Sequence, residues 1–202
     1  MSQNYLSIRN EYLDKAWSRS PEKLAQSLPG ELKGGVLHFQ AFGEPCELAR
    51  EEITLSGEPA RGQEGLLIAL YASAVSDRQV VLEPLQSFKD LPNSMPYHGA
   101  FAANAERVLA PHVPKIHLEQ ERLAAIFSGY VNSDIESGDF SFTLYPLPRI
   151  PLIYIFHLPD EEFDAAVTCL FASNAAEFMP IDGLADVAEY TGKRIIRLVG
   201  GR

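Results

Sequence analysis

The chain predicts an α+β fold: one small, mostly antiparallel sheet flanked by helices, in a single globular domain with an N-terminal helical segment. Three observations carry this. Roughly five stretches have apolar residues at helical spacing, and roughly four read as strands. These stretches do not alternate as regular β-α units, which argues against a doubly wound parallel sheet. The 202 residues are 46% hydrophobic, enough apolar material for one full core.

The first helix is marked by Tyr5, Ile8, Tyr12, Leu13, Ala16 and Trp17 on one stripe. Ser20 followed by Pro21 reads as an N-cap and first helical residue, so a second short helix runs to Leu28 and ends at Pro29-Gly30. Residues 1–29 form the N-terminal helical segment and 30–202 the α+β domain. This helical front either packs against the domain or contacts a partner, with Trp17 read as a packing anchor and not a site residue.

Gly34 and Gly35 open a hairpin in which Leu37, Phe39 and Ala41 alternate with His38 and Gln40. Residues 46–53 form an irregular return strand, and 57–62 a loop. Residues 63–75 are a helix that buries Leu66, Leu67, Leu70 and Ala74. From Val80 to Phe88 the chain is apolar, but Pro84 confines it to an edge or a break. The loop Lys89–His98 is rich in turn formers and would lie over a pocket, with Tyr97 and His98 as candidate ligand-binding residues.

A helix from Gly99 carries Phe101, Ala105, Val108 and Leu109 and ends before Pro111. Another from His117 carries Leu118, Leu123, Ile126, Phe127 and Tyr130. After the turn Ser137-Gly138-Asp139, Phe140, Phe142 and Leu144 alternate with Ser141, Thr143 and Tyr145, the pattern of a half-buried strand. Residues 150–157 are apolar on both faces, as in a central strand, and 165–171 are its antiparallel partner. Ser173 caps a short helix, Pro180 breaks it, and Asp182 caps the last helix, which Gly192 is expected to kink or split.

Charge narrows the partners. The formal net charge of −10 and the absence of a basic run argue against a nucleic-acid backbone. No apolar run reaches 18 residues and the first residues lack a secretory pattern, so neither a membrane span nor export is expected and the cytoplasm is the default location. The two cysteines, Cys46 and Cys169, share no motif and read as reduced, buried thiols. GxGxxG, Walker, GxSxG and HExxH motifs are all missing.

The densest polar chemistry lies between Pro148 and Ala172. Pro148 and Pro151 bracket Arg149 and restrict its backbone, and a fixed guanidinium suits a carboxylate or phosphate. An internal ion pair to Asp139 or to the acidic turn is the plainer expectation for it. The turn holds Asp160, Glu161, Glu162 and Asp164, with His157 just before it. Carboxylates bind hard cations, and a histidine adds a nitrogen ligand or a titrating base. Acidic hairpin turns are more often solvated surface. Phe163 is expected to fold back and anchor the turn.

The run Pro146-Leu147-Pro148-Arg149-Ile150-Pro151-Leu152, then Asp160-Glu161-Glu162-Phe163 and Leu170-Phe171, resembles the DUF3786 family of bacterial and archaeal proteins. Leu67–Ala72, Ser87–Pro92 and Gly138-Asp139 resemble the family in the same order. The chain departs from it at His157-Leu158-Pro159, where relatives carry a tryptophan-containing turn, and at Asp164, where a proline is common. The resemblance implies no settled activity, only an association with corrinoid or iron–sulfur proteins.

Two functions stand against each other. One is a non-catalytic accessory or binding protein with a protein partner and no cofactor of its own. The alternative is a small metal-dependent enzyme. It would hold a divalent cation at 160–164 and a small anionic substrate at Arg149. The direction in which Arg149 points separates them.

Overall fold

The computed structural model describes residues 3–133 and 137–200. Helices and antiparallel sheets make an α+β fold, with two sheets where the sequence predicts one. The chain begins with α1 (Gln3–Trp17) and α2 (Pro21–Ser27), the latter capped by the Ser20 hydroxyl accepting the Lys23 N–H. A meander follows: β1 (Glu31–Lys33), β2 (Val36–Ala41), β3 (Glu44–Leu48), β4 (Ile53–Leu55) and β5 (Glu58–Pro59), paired in that order.

The expected irregular return strand is in fact two. The chain turns at residues 49–52, where Ala49 N–H donates to Glu52 O, so Cys46 and Leu55 pair on the core side. Alternation then does what the hairpin reading requires. Leu37, Phe39, Ala41, Cys46, Leu48 and Ile53 are buried, while Gln40 and Glu47 face water.

Next comes α3 (Gln63–Ala74), apolar all round and packed against both α1 and the last helix. Its fully enclosed side is Leu67, Ile68, Ala69, Tyr71 and Ala72; Leu66, Leu70 and Ala74 of the predicted stripe are only half-buried. A helix flanked on several sides has no single apolar stripe to read. Of the apolar segment 80–88, only β6 (Gln86–Ser87) is strand, at a sheet edge, after a cis Glu83–Pro84 bond.

The helical layer is more continuous than the prolines suggest. It comprises α4 (Met95–Phe101), a π-helical stretch Ala102–Glu106, a 3-10 stretch Arg107–His112 that holds Pro111, then α5 (Val113–Leu118) and α6 (Gln120–Ile126). The helical path resets at Glu119, between α5 and α6, and turns Leu118 outward to 85% exposure.

The second sheet follows: β7 (Tyr130–Val131), β8 (Phe140–Leu147), β9 (Ile150–His157) and β10 (Ala166–Phe171), in the order β6-β10-β9-β8-β7. Its inner face presents Phe140, Phe142, Leu152, Tyr154, Phe156, Cys169 and Phe171, all buried, with Phe140 stacked on Phe156 at 4.5 Å. Full burial of each large apolar side chain stabilises by about 1.5–3 kcal/mol. The last helix, α7 (Ile181–Gly200), is unbroken. Gly192 is buried against Ala105 and Leu109 of the helical layer and marks close packing, not the expected split.

The sheets meet where β8 bulges between Leu144 and Leu147. There the Phe42 N–H, from the tip of β2–β3, donates to Pro146 O at 2.6 Å, and the Phe42 ring packs edge-on against Tyr190 of α7.

Candidate functional site

The outer face of the second sheet forms the floor of a cleft of about 780 Å³, within the ordinary range for small-ligand sites. Alternation along the strands decides its chemistry. β8 turns Ser141 and Thr143 outward, β9 turns Ile153 and Ile155, and β10 turns Leu170. Cross-strand register sets Thr143, Ile153 and Leu170 in one row, so hydroxyls lie on one side of the floor and aliphatic groups on the other.

The wall beyond β8 comes from residues 130–133. Asn132 is fixed at both ends of its amide: Nδ2 donates to Ser141 Oγ at 2.6 Å, and Oδ1 accepts from Thr143 Oγ1 at 3.0 Å. Its backbone N–H donates to Ser141 O. Tyr130 stands half-exposed at the rim beside Tyr145, whose hydroxyl is pushed up in pKa by burial and by its neighbour Tyr130. The opposite wall is the segment 82–85, and its own chain positions it. Ser173 Oγ donates to Val81 O, and Asn174 both accepts from Val81 N–H and donates to Gln79 O. Ser173 therefore holds this wall and does not cap the helix assigned to it from sequence. Glu83 lies in the wall, with one carboxylate oxygen accepting the Leu85 N–H.

The residues singled out from sequence lie elsewhere. Arg149 sits in the tight turn between β8 and β9 and points away from the acidic turn. Its Nε donates to Ser27 O at 2.7 Å, and its two terminal nitrogens donate to Arg78 O at 2.7 Å and Gln26 O at 3.1 Å. The expected ion pair with Asp139 or the acidic turn is not formed. Asp139 instead accepts the Leu158 N–H at 2.7 Å. Gln26 and Ser27 are the last residues of α2, whose carbonyls have no intrahelical partners, so the guanidinium caps a helix. The Arg149 N–H donates to the buried Tyr71 hydroxyl, whose pKa burial raises.

The acidic turn is exposed throughout. Asp160 Oδ1 accepts the N–H groups of Glu162 and Phe163, each at 2.8 Å, and these bonds lower its pKa. Glu161, Glu162 and Asp164 face water, and His157 is exposed at the end of β9, outside the cleft lining. Phe163 does not fold back; it is 69% exposed, because the turn is closed by backbone bonds to Asp160 and needs no apolar anchor. Among the described residues, no three His, Cys, Asp or Glu side chains are grouped to hold a metal ion. Tyr97 is exposed on α4, and His98, in the same helix, has its Nδ1 buried without a hydrogen-bond partner.

His98 lies near a partly buried polar group that the sequence does not announce. Glu106, at the end of the π-helical stretch, reaches β10, where its Oε1 accepts the Cys169 N–H at 3.0 Å. Burial raises the Glu106 pKa, opposed by that hydrogen bond and by His98 and Arg107. Tyr154 and Cys169 pair across β9 and β10, both wholly enclosed, and burial pushes both up in pKa. Neither side chain is exposed to solvent.

Sequence reasoning missed Asn132, Tyr130 and the Ser141–Thr143 pair as site residues. The available signal was the hydroxyl side of the β8 alternation, read only as a solvent face. No helix among the described residues is long and apolar enough to cross a membrane. No curated protein and no solved structure matches the chain. One family model, described as a domain of unknown function (DUF3786), matches residues 20–194, from the cap of α2 to within α7. The chain belongs to the DUF3786 family.

Proposed function

We propose that this protein is a non-catalytic binding protein, an accessory to another protein, and that its ligand site is the cleft on the outer face of the second sheet. The observation that carries the reading is the lining of that cleft. It offers hydroxyls, an amide fixed at both ends and aliphatic side chains; among the described lining residues Glu83 is the one charged group, and none is a histidine, cysteine, lysine or arginine. Such a surface orients a ligand through hydrogen bonds and does not activate it.

An accessory place beside corrinoid or iron–sulfur proteins, as the family resemblance implies, suits the reading. Cys46 and Cys169 are buried in separate sheets, so a thiolate-held cluster would belong to the partner. The metal-dependent alternative stands second because Arg149 and the acidic carboxylates point in different directions.

Native mass spectrometry of the intact protein, purified without denaturation, tests the reading. A small molecule retained at one per chain, and lost in Asn132→Ala, is the expected result. A protein that carries and takes up nothing, or one whose turnover of a substrate depends on Asp160 and Glu162, would overturn it.

A further inference from the structure

The cleft also restricts the kind of molecule it can take, a step that rests on the binding reading above. Its charge content is the first argument. Among the described lining residues Glu83 alone carries a charge at neutral pH, and it is negative. The chain as a whole carries −10. A phosphate, sulfate or carboxylate entering here would lose water and meet no cation, a desolvation cost that only pairing offsets.

The second argument is polarity across the strands. Going from β10 through β9 to β8 and β7, the lining changes from Leu170 and the two isoleucines to Thr143, Asn132 and the Tyr130 ring. Strands are spaced about 4.8 Å apart, so this gradient spans about 15 Å. At its polar end, Asn132 keeps one N–H and one lone pair unused after its bonds to Ser141 and Thr143. The half-exposed Tyr130 ring offers an aromatic face beside them. We infer that the ligand is an amphipathic molecule without an anionic group, lying across the strands, with its apolar part on Leu170 and Ile155 and a hydroxyl- or amide-bearing head at Asn132, Thr143 and Tyr130.

Two probes with the same tail test this on the full chain below their micelle concentrations: n-octyl β-D-glucoside and octyl sulfate. Binding is read from backbone amide shifts of Tyr130, Asn132 and Thr143 in nitrogen–proton spectra. The glucoside is expected to shift those signals and to bind at least tenfold more tightly than the sulfate. Thr143→Val, or Asn132→Ala should the first not fold, is expected to weaken the glucoside severalfold and leave the sulfate unchanged. Octyl sulfate binding in the cleft as tightly as the glucoside overturns the ligand class and leaves the binding reading standing. Shifts for neither probe, or shifts confined to other surfaces, overturn both.

Discussion

Glu106 accepts the backbone N–H of Cys169 across 3.0 Å, joining the helical layer to a strand of the second sheet. β6 pairs with β10 only at Leu170 and Phe171, so beyond it the β10 edge has no strand partner. The carboxylate takes that place, satisfying a buried donor that would otherwise be stranded.

Ionisation of Glu106 should be visible in stability. Burial raises its folded-state pKa above that of the unfolded chain. Between the two values the folded state holds the proton more tightly, so stability falls as pH rises through that window and levels off above the folded pKa. Glu106→Gln keeps an acceptor for Cys169 and removes this part of the slope. Urea midpoints measured from pH 4 to 8 are expected to show the variant gaining on the parent as pH rises. Glu106→Ala strands the N–H and is expected to lose about 1–3 kcal/mol.

Arg149→Lys is not a conservative change here. A guanidinium reaches three carbonyls at fixed angles, and an ammonium on a flexible stem does not. Loss of about 1–3 kcal/mol is expected for Lys and at least as much for Ala, with an unchanged folded spectrum. Equilibrium denaturation followed by circular dichroism measures it, and a variant as stable as the parent would remove the clamp from the account of the fold.

Both thiols should be silent in the native protein. Burial pushes the Cys46 thiol up to about 12 and the Cys169 thiol well above its ordinary value. Thiolate, not thiol, reacts with disulfide reagents. Titration with such a reagent at pH 8 is expected to label neither cysteine until denaturant is added, and then both.

Gly129 tests the wall of the cleft. A Cβ there would lie 1.9 Å from Thr143 O and 2.9 Å from its carbonyl carbon, both backbone atoms that cannot swing away. Gly129→Ala is expected to cost about 1–3 kcal/mol and to displace β7 from β8. Loss of the Tyr130–Thr143 register in nuclear Overhauser contacts would report it.

What the sequence revealed was whatever is local. Alternation in β8, the doubly apolar β9 and the Ser20 cap each follow from a few neighbouring residues. The sequence also marked Arg149 as fixed, through its flanking prolines. It did not show toward what, because its partners lie 71 to 123 residues away. The cleft was hidden for the same reason. Ser141 and Thr143 look like an ordinary wet face until residues 82–85 and 130–133 rise on either side. Leu118 misled because periodicity was carried across Glu119, where one helix stops and another starts.

The Arg149 clamp has a kinetic meaning as well. Its hydrogen bonds join the β8–β9 turn to the end of α2, to Tyr71 of α3 and to the segment after α3, so the full set closes only when all of these regions are in place. Loop-closure entropy opposes early contacts of such long sequence separation, and this clamp is expected to close on the native side of the folding barrier. Weakening them should leave the rate of folding nearly untouched and hasten unfolding instead. The arginine is thus expected to act as a latch on a finished molecule, setting how long the folded chain lasts and not how quickly it arises.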